Sequence, residues 1–447
     1  MRFKFRINLT VFLTSVLILS AGRHGCAQER IDPPPQYIPP SCQGKPINIV
    51  PRAVVLAQTA TPVKSNPPIA RAEQLKLFEE LAQVINETYV YPDFNGQDWA
   101  AVVSEVRRKV EGGLETEAFY AEMEKFVQRL GDRHSNFESP VRAVASRAAL
   151  SGTENYVGIG AFLKPLVEKK SVTVLAVVPD SAADRNGLRQ HDSILAVDGL
   201  PLIEDGKVYQ LRTRGPACSA TVLTVQSPGR PSRKVSLVRY QIAASVPIHA
   251  RLVKTTDGTR VGYIFLPSFF DATLPKQVKQ ALLDFGELDG LIIDNRMNGG
   301  GSSTVLLPIL SYFTSGTLGH FVSRTGRRPL EITANPVGNS QQVPLVILVS
   351  KETVSFGEVF SGVLQDVGRA RVIGQATAGR VETLHSRKFG DGSVAWIAQE
   401  GFEPIKSRVV WRGTGVKPDA EVYADWDTFT FENDPAVAAA VKLLGRK

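Results

Sequence analysis

Gly290-Leu291-Ile292-Ile293-Asp294-Asn295-Arg296-Met297-Asn298-Gly299-Gly300-Gly301 is the stretch whose reading decides the fold. A short apolar run with no polar alternation reads as a strand buried on both faces. It ends in charged and amide residues and then in three glycines, whose freedom lets successive backbone N–H groups turn toward one point. Such a point can hold the oxygen of a tetrahedral intermediate or a phosphate, or it can be a plain tight turn. No Lys-Ser/Thr pair follows the glycines, which excludes a P-loop.

Outward from this strand, the spacing predicts further strands at 261–266, 345–349 and 370–373, with helices at 274–285, 304–313 and 356–365. Strand and helix in alternation make a sheet covered by helices. Residues 156–240 read instead as β-rich, with β-branched runs and an Asp198-Gly199 turn. Upstream, Leu75, Phe78, Leu81, Ala82 and Ile85 recur at helical spacing, and the runs 99–110 and 118–130 follow the same pattern. Between 28 and 68 the chain is rich in proline and has no periodic apolar face, as a linker would be.

The 447 residues exceed one ordinary core. At 43% apolar and 21% charged, the composition is that of a globular protein. The net charge of +8 is spread over interleaved acids and bases, not gathered in a basic run, so no nucleic-acid partner is expected. Arg2, Lys4 and Arg6 precede an apolar stretch at 7–19, too short for a comfortable membrane span, and Gly25 and Ala27 suit cleavage after Ala27. The chain is therefore expected to be exported, periplasmic or extracellular, with no membrane span once mature. Cys42 and Cys218 can pair in an oxidising compartment, although their separation does not decide it. No Cys/His cluster has zinc spacing, and neither metal nor cofactor is expected.

Two more segments carry chemistry. In Asp132-Arg133-His134-Ser135, the histidine is a general base or an ordinary loop residue. Ser355 and Glu358 have the spacing of a capping box, which would occupy the serine oxygen. The same serine at a helix N-terminus is also where the dipole favours a developing alkoxide. Spacing leaves both readings open.

Taken in order, these segments resemble the C-terminal processing peptidases and their tricorn-type relatives over about residues 72–423. Asp132 to Ser135 is similar to the family's Asp-Pro-His-Ser, and Asp294 to Gly301 to its Asp-Leu-Arg-Asn-Asn-Pro-Gly-Gly. Gly158-Ile159-Gly160-Ala161 and Asp192 to Gly199 look like PDZ signatures, and Gly415-Val416-Lys417-Pro418-Asp419 like a closing motif. The resemblance implies an α/β multidomain fold: a signal peptide (1–27), a Pro-rich linker (28–68), a helical N-terminal domain (69–150), a PDZ-like domain (154–242), a mixed sheet-plus-helix, ClpP/crotonase-like peptidase core (245–430) and a C-terminal helix (431–447). It implies a serine endopeptidase with Ser355 as nucleophile, the N–H groups of Phe356 and Gly300 as oxyanion hole, and Gly299 as substitute for Gly300. Polypeptides with free C-termini would be captured on Gly158, Ile159, Gly160 and Ala161.

The departures shape the rest. The processing peptidases carry a catalytic Lys where this chain has Arg380, and arginine keeps its proton at any ordinary pH. Their assisting Gln falls at Leu384, and the orienting Glu of the tricorn type falls at Arg412. His134 is then the expected base, with Ser135 beside it, Glu358 or Glu382 to orient it, and His385 as a second base. The alternative is a catalytically impaired peptide-binding protein on the same fold.

Overall fold

The computed structural model describes residues 33–49, 65–150, 156–242, 248–255 and 257–445; the expected signal peptide lies outside them. Among the described residues no helix is long and apolar enough to cross a membrane.

The first strand, β1 (Asn48–Ile49), belongs to the segment expected to be a linker. That expectation is corrected for residues 33–49. The segment docks by a disulfide between Cys42 and Cys218, with Cα atoms 5.4 Å apart, and Cys42 is 1% exposed. Proline richness marks a segment that cannot build its own face, not one that cannot be held by another.

Three helices follow: α1 (Arg71–Thr88), α2 (Trp99–Glu111) and α3 (Thr116–Gln128). Each buries one apolar stripe, as periodicity requires; Leu77, Phe78, Leu81 and Ile85 make that of α1. Asp98 caps α2 by accepting the Ala101 N–H at 3.0 Å. Strand β2 (Asn136–Glu138) and helix α4 (Pro140–Leu150) complete this part. It is not self-contained, because its core also takes Phe389, Ala395, Ile397 and Ala398 from far down the chain.

The β-rich part holds β3 (Tyr156–Gly158), β4 (Ala161–Leu166), β5 (Ser171–Val177), the short helix α5 (Ala182–Arg185), β6 (Ser193–Val197), β7 (Leu200–Pro201), the ribbon β8 (Ile203–Glu204) and β9 (Lys207–Val208), then β10 (Ser219–Gln226) and β11 (Arg233–Ile242). Its sheet runs β3-β11-β10-β6-β5-β4, with β1 added in parallel to β10 and β7 antiparallel to β6. Val172, Val174, Ile194, Leu223 and Leu237 close a core of its own.

The last part begins with β12 (Ala250–Val253), β13 (Val261–Phe265), α6 (Leu274–Phe285), β14 (Gly290–Asp294) and α7 (Ser303–Phe313). It continues through β15 (Gly316–Val322), β16 (Arg327–Ile332), β17 (Leu345–Val349), α8 (Phe356–Asp366), β18 (Arg371–Gly374), β19 (Thr383–Lys388), β20 (Val394–Pro404), β21 (Ala420–Glu421) and α9 (Pro435–Leu444). The quoted strand, β14, lies inside a six-stranded sheet of order β12-β13-β14-β17-β18-β21, parallel from β13 onward. All five residues of β14 and of β17 are buried, which is why neither alternates. A second, antiparallel sheet of order β16-β15-β20-β19 carries β2 on β20. Through that pairing the helical part is brought against the strands that flank the site.

Candidate active site

The C-terminal ends of β14 and β17 set two loops side by side. After β14, Arg296 is locked between Asp294 (Nη2 to Oδ2 2.6 Å) and Asp434, with Tyr263 donating to Asp294 at 2.7 Å. Asp294 is fully buried, and although burial opposes its charge, Arg296 holds its carboxyl below the usual range. Anchored so, the chain turns through the glycines. Gly300 has φ +89°, and a Cβ there would stand 2.7 Å from the Ser355 Cβ; at Gly301 it would stand 2.1 Å from Phe269 backbone. Only glycine lets the turn pass this close.

After β17 the chain reaches Ser355 at φ 57°, ψ −126°. Such a conformation costs a non-glycine residue roughly 1–3 kcal/mol and persists only where its surroundings impose it. Here they do. The Ser355 N–H donates to the Arg380 carbonyl at 2.9 Å and to Glu358 Oε2 at 3.1 Å, and Val354 N–H donates to the Asn298 carbonyl at 2.9 Å. Glu358, fully buried, also accepts from Thr377 Oγ1 at 2.5 Å, Gly379 N–H at 2.6 Å and Arg380 N–H at 2.8 Å. Burial still pushes its carboxyl above the usual range. Glu358 thus closes on the serine backbone as a capping box does, while Oγ makes no cap hydrogen bond. The left-handed φ turns the side chain off the helix axis.

His134 stands opposite. Asp132 Oδ1 accepts the N–H groups of His134 at 2.8 Å and Ser135 at 2.7 Å, and the Ser135 hydroxyl donates to Asp132 Oδ2 at 2.6 Å. Ser135 Oγ also accepts the Ala398 N–H of β20 at 3.0 Å. The imidazole Nδ1 lies 3.6 Å from Glu382 Oε2, and both atoms are buried without another partner. Tyr91 donates to Glu382 Oε1 at 2.6 Å, and the Arg412 guanidinium is 3.9 Å from the same oxygen while lying over the Tyr91 ring. Burial works to raise the Glu382 carboxyl, but His134 and Tyr91 outweigh it and hold it below the usual range.

His134, Gly299, Gly301, Ser355, Phe356 and Trp396 line one cavity of about 230 Å³. From the β-rich part, Lys164 of β4 reaches the segment ahead of Ser355. Its Nζ donates to the Glu352 carbonyl at 3.1 Å, ahead of Ser355, and pairs with the Glu352 carboxylate at 3.0 Å.

The expected residues sort as follows. Ser355, Phe356 and His134 are brought together. The Gly300 call is corrected: its N–H donates to Asn298 Oδ1 at 2.9 Å, and it is Gly299 and Gly301 that border the cavity. Ser135 pins the loop and does not face the cavity. Glu358 serves the serine backbone and not the imidazole. Arg380 acts through its main chain, and His385 is turned to Glu400 at 3.2 Å, away from the cavity. Gly158, Ile159, Gly160 and Ala161 are buried in the β-rich part, where the Ile159 and Gly160 carbonyls accept Ala183 and Val178 N–H groups. Tyr91 was missed; nothing in its local sequence marks it, and its neighbour Val90 ties the segment to β20 by donating its N–H to the Ala398 carbonyl at 2.9 Å.

The family model for peptidase family S41 matches residues 260–422, and that for the tricorn protease C1 domain matches residues 70–128. A carboxyl-terminal-processing protease of Synechocystis is 29% identical over 390 residues, covering 84% of this chain and 88% of the relative. The chloroplastic carboxyl-terminal-processing peptidase 3 of Arabidopsis thaliana is 27% identical, covering 84% and 75%. Among solved structures, a photosystem II D1 C-terminal processing protease superposes with TM-score 0.56 at 24% identity, over 83% of this chain and 97% of that one. A Bacteroides fragilis protein described as an S41 protease gives 0.55 at 16%, over 82% and 96%; at these identities the likeness is one of fold. With that family's model lying over the sheet that carries Ser355, and processing proteases aligned along most of its length, this chain carries a peptidase family S41 domain over residues 260–422 and is similar to carboxyl-terminal-processing proteases along most of its length.

Proposed function

We propose that the chain is an exported endopeptidase working through Ser355, His134 and Glu382. The observation that carries the reading is the pair of buried, otherwise unpartnered atoms, His134 Nδ1 and Glu382 Oε2, facing each other 3.6 Å apart behind the cavity that holds Ser355. Glu382 orients the imidazole with its proton on Nδ1, leaving Nε2 free to take the Ser355 proton. Ser355 attacks a backbone carbonyl, and His134 returns the proton to the leaving amine. Water then releases the acyl-enzyme by the reverse path. The N–H groups of Phe356 and Gly299, which have no acceptor among the described residues, receive the oxyanion. The carboxylate comes from the start of β19, replacing the one expected at position 412, where Arg412 instead neutralises it.

The β-rich part, in this reading, captures polypeptide C-termini on the turn before β4. The N–H groups of Ile159 and Gly160 lack acceptors among the described residues, which suits a terminal carboxylate. Export fits the Cys42–Cys218 disulfide, since such bonds persist in oxidising compartments.

Labelling with a fluorophosphonate probe tests the reading. The wild type is expected to label, with loss on Ser355→Ala and strong slowing on His134→Ala and Glu382→Gln. Labelling that ignores His134 and Glu382 overturns the triad, and folded protein that never labels favours the impaired peptide-binding protein.

A further inference from the structure

A second cavity, of about 430 Å³, opens where the β-rich sheet meets the β12 edge of the six-stranded sheet. Gln190 and His191 line it from the β-rich side, and His249, Arg251 and Phe431 from the other. His191 is fixed, 3% exposed, with Nδ1 donating to the Trp426 carbonyl at 2.8 Å and its ring 4.1 Å from that of Trp426. Two other polar atoms of the lining are not satisfied. Gln190 Nε2 and His249 Nε2 are buried with no hydrogen-bond partner. An unpaired buried polar atom costs roughly 1–3 kcal/mol, so two at one cavity call for an occupant. Arg251 lays its guanidinium 4.2 Å over the Phe431 ring and makes no ion pair among the described residues.

Arg251 and the Gln190 amide nitrogen can only donate, so the occupant must present acceptors. A carboxylate does so with two oxygens and matches the guanidinium fork. We propose that this cavity is a second ligand site taking a small carboxylate, held by Gln190, His249 and Arg251. The site is independent of the reading of Ser355. Because its donors come from both the β-rich part and the peptidase sheet, occupancy ties one to the other.

Binding is linked to protons. Arg251, two residues on in β12, Asp184, Arg189 and His191 from the β-rich side, and exposed Glu432 are the charged and titratable groups around His249. Arg189 is paired with Asp184 at 3.1 Å. Burial, then Arg251, pushes the His249 imidazole down to about 4, so it is neutral at pH 7 when the cavity is empty. A bound carboxylate favours the imidazolium and raises its value, so binding takes up a proton, and affinity rises as pH falls through the interval between the bound value and the free value near 4.

Calorimetric titration of the full chain tests this, with succinate, N-acetyl-Ala-Ala and its C-terminal amide, in two buffers of different ionisation enthalpy. Both acids are expected to bind and the amide to fail. Succinate alone binding marks a free dicarboxylate as the natural class, and the dipeptide alone marks a polypeptide terminus. Arg251→Gln should weaken binding at least tenfold, and His249→Asn should abolish the buffer dependence. Should Arg251→Gln misfold, Gln190→Leu, checked by an unchanged Tm, should weaken binding about fivefold. Absence of carboxylate binding, equal binding of acid and amide, or affinity indifferent to these substitutions overturns the proposal. So does a carboxylate that slows fluorophosphonate labelling of Ser355 equally in wild type and Arg251→Gln, because it then sits in the catalytic cavity.

Discussion

The two halves of the candidate active site are built differently. On the nucleophile side the hydrogen bonds around the serine are closed: Glu358 accepts four, and the strained Ser355 backbone is held at both its N–H and its carbonyl. On the base side, His134 Nδ1 and Glu382 Oε2 are buried and stop 3.6 Å apart. One carboxylate stores a fixed geometry; the other waits a few tenths of an ångström from its hydrogen bond. Catalytic hydrogen bonds often tighten only when substrate arrives. In the proposed mechanism, the difference means that the serine and its oxyanion donors are preformed, whereas the proton relay is completed by a small closure.

The comparison breaks most visibly with Ser355→Ala, expected to lower kcat by roughly 10⁶-fold in a peptide-cleavage assay, as removal of a triad nucleophile does. Glu382→Gln should lower it by roughly 10³–10⁴-fold with unchanged KM, because the amide favours the wrong tautomer. An equally large loss of Tm would instead make Glu382 a structural residue. Glu358→Gln reverses the balance. It places an amide nitrogen among main-chain donors and should cost about 2–4 kcal/mol in chemical denaturation.

The smallest effect lies in pH dependence, where the two glutamates carry opposite signs. Glu382 is held below its ordinary value, so its stabilising contribution is present above about pH 4.5 and lost as pH falls through the folded value. Glu358 is held above its ordinary value, so its stabilising contribution is present below about pH 4.5 and lost as pH rises through the folded value. Thermal unfolding from pH 3.5 to 7 should therefore lose its acid-side slope in Glu382→Gln and its opposing slope in Glu358→Gln. Identical profiles for the two variants would erase the distinction.

Much of the parallel sheet was legible because its signals are local. Residues 290–294 and 345–349 are unbroken apolar runs, and 274–285 has a single apolar face; all three elements have the expected bounds. The antiparallel sheet was not read. In Thr383–Lys388 four of six residues are exposed, so no alternation announces a strand. Ser355 could be named only through the family resemblance, because its place at a strand-to-helix turn left capping and catalysis both open. Glu382 could be named only as one of two carboxylates, because its approach to His134 depends on β2 pairing with β20. The Gly300 register failed for a local reason: Asn298, two residues earlier, takes its N–H.

The bond between Cys42 and Cys218 bears on what happens if one copy of a peptidase cuts another. One cut anywhere between the two cysteines yields two fragments that remain a single molecule. Such a nicked protein runs on a denaturing gel as one band without reductant and as two with it.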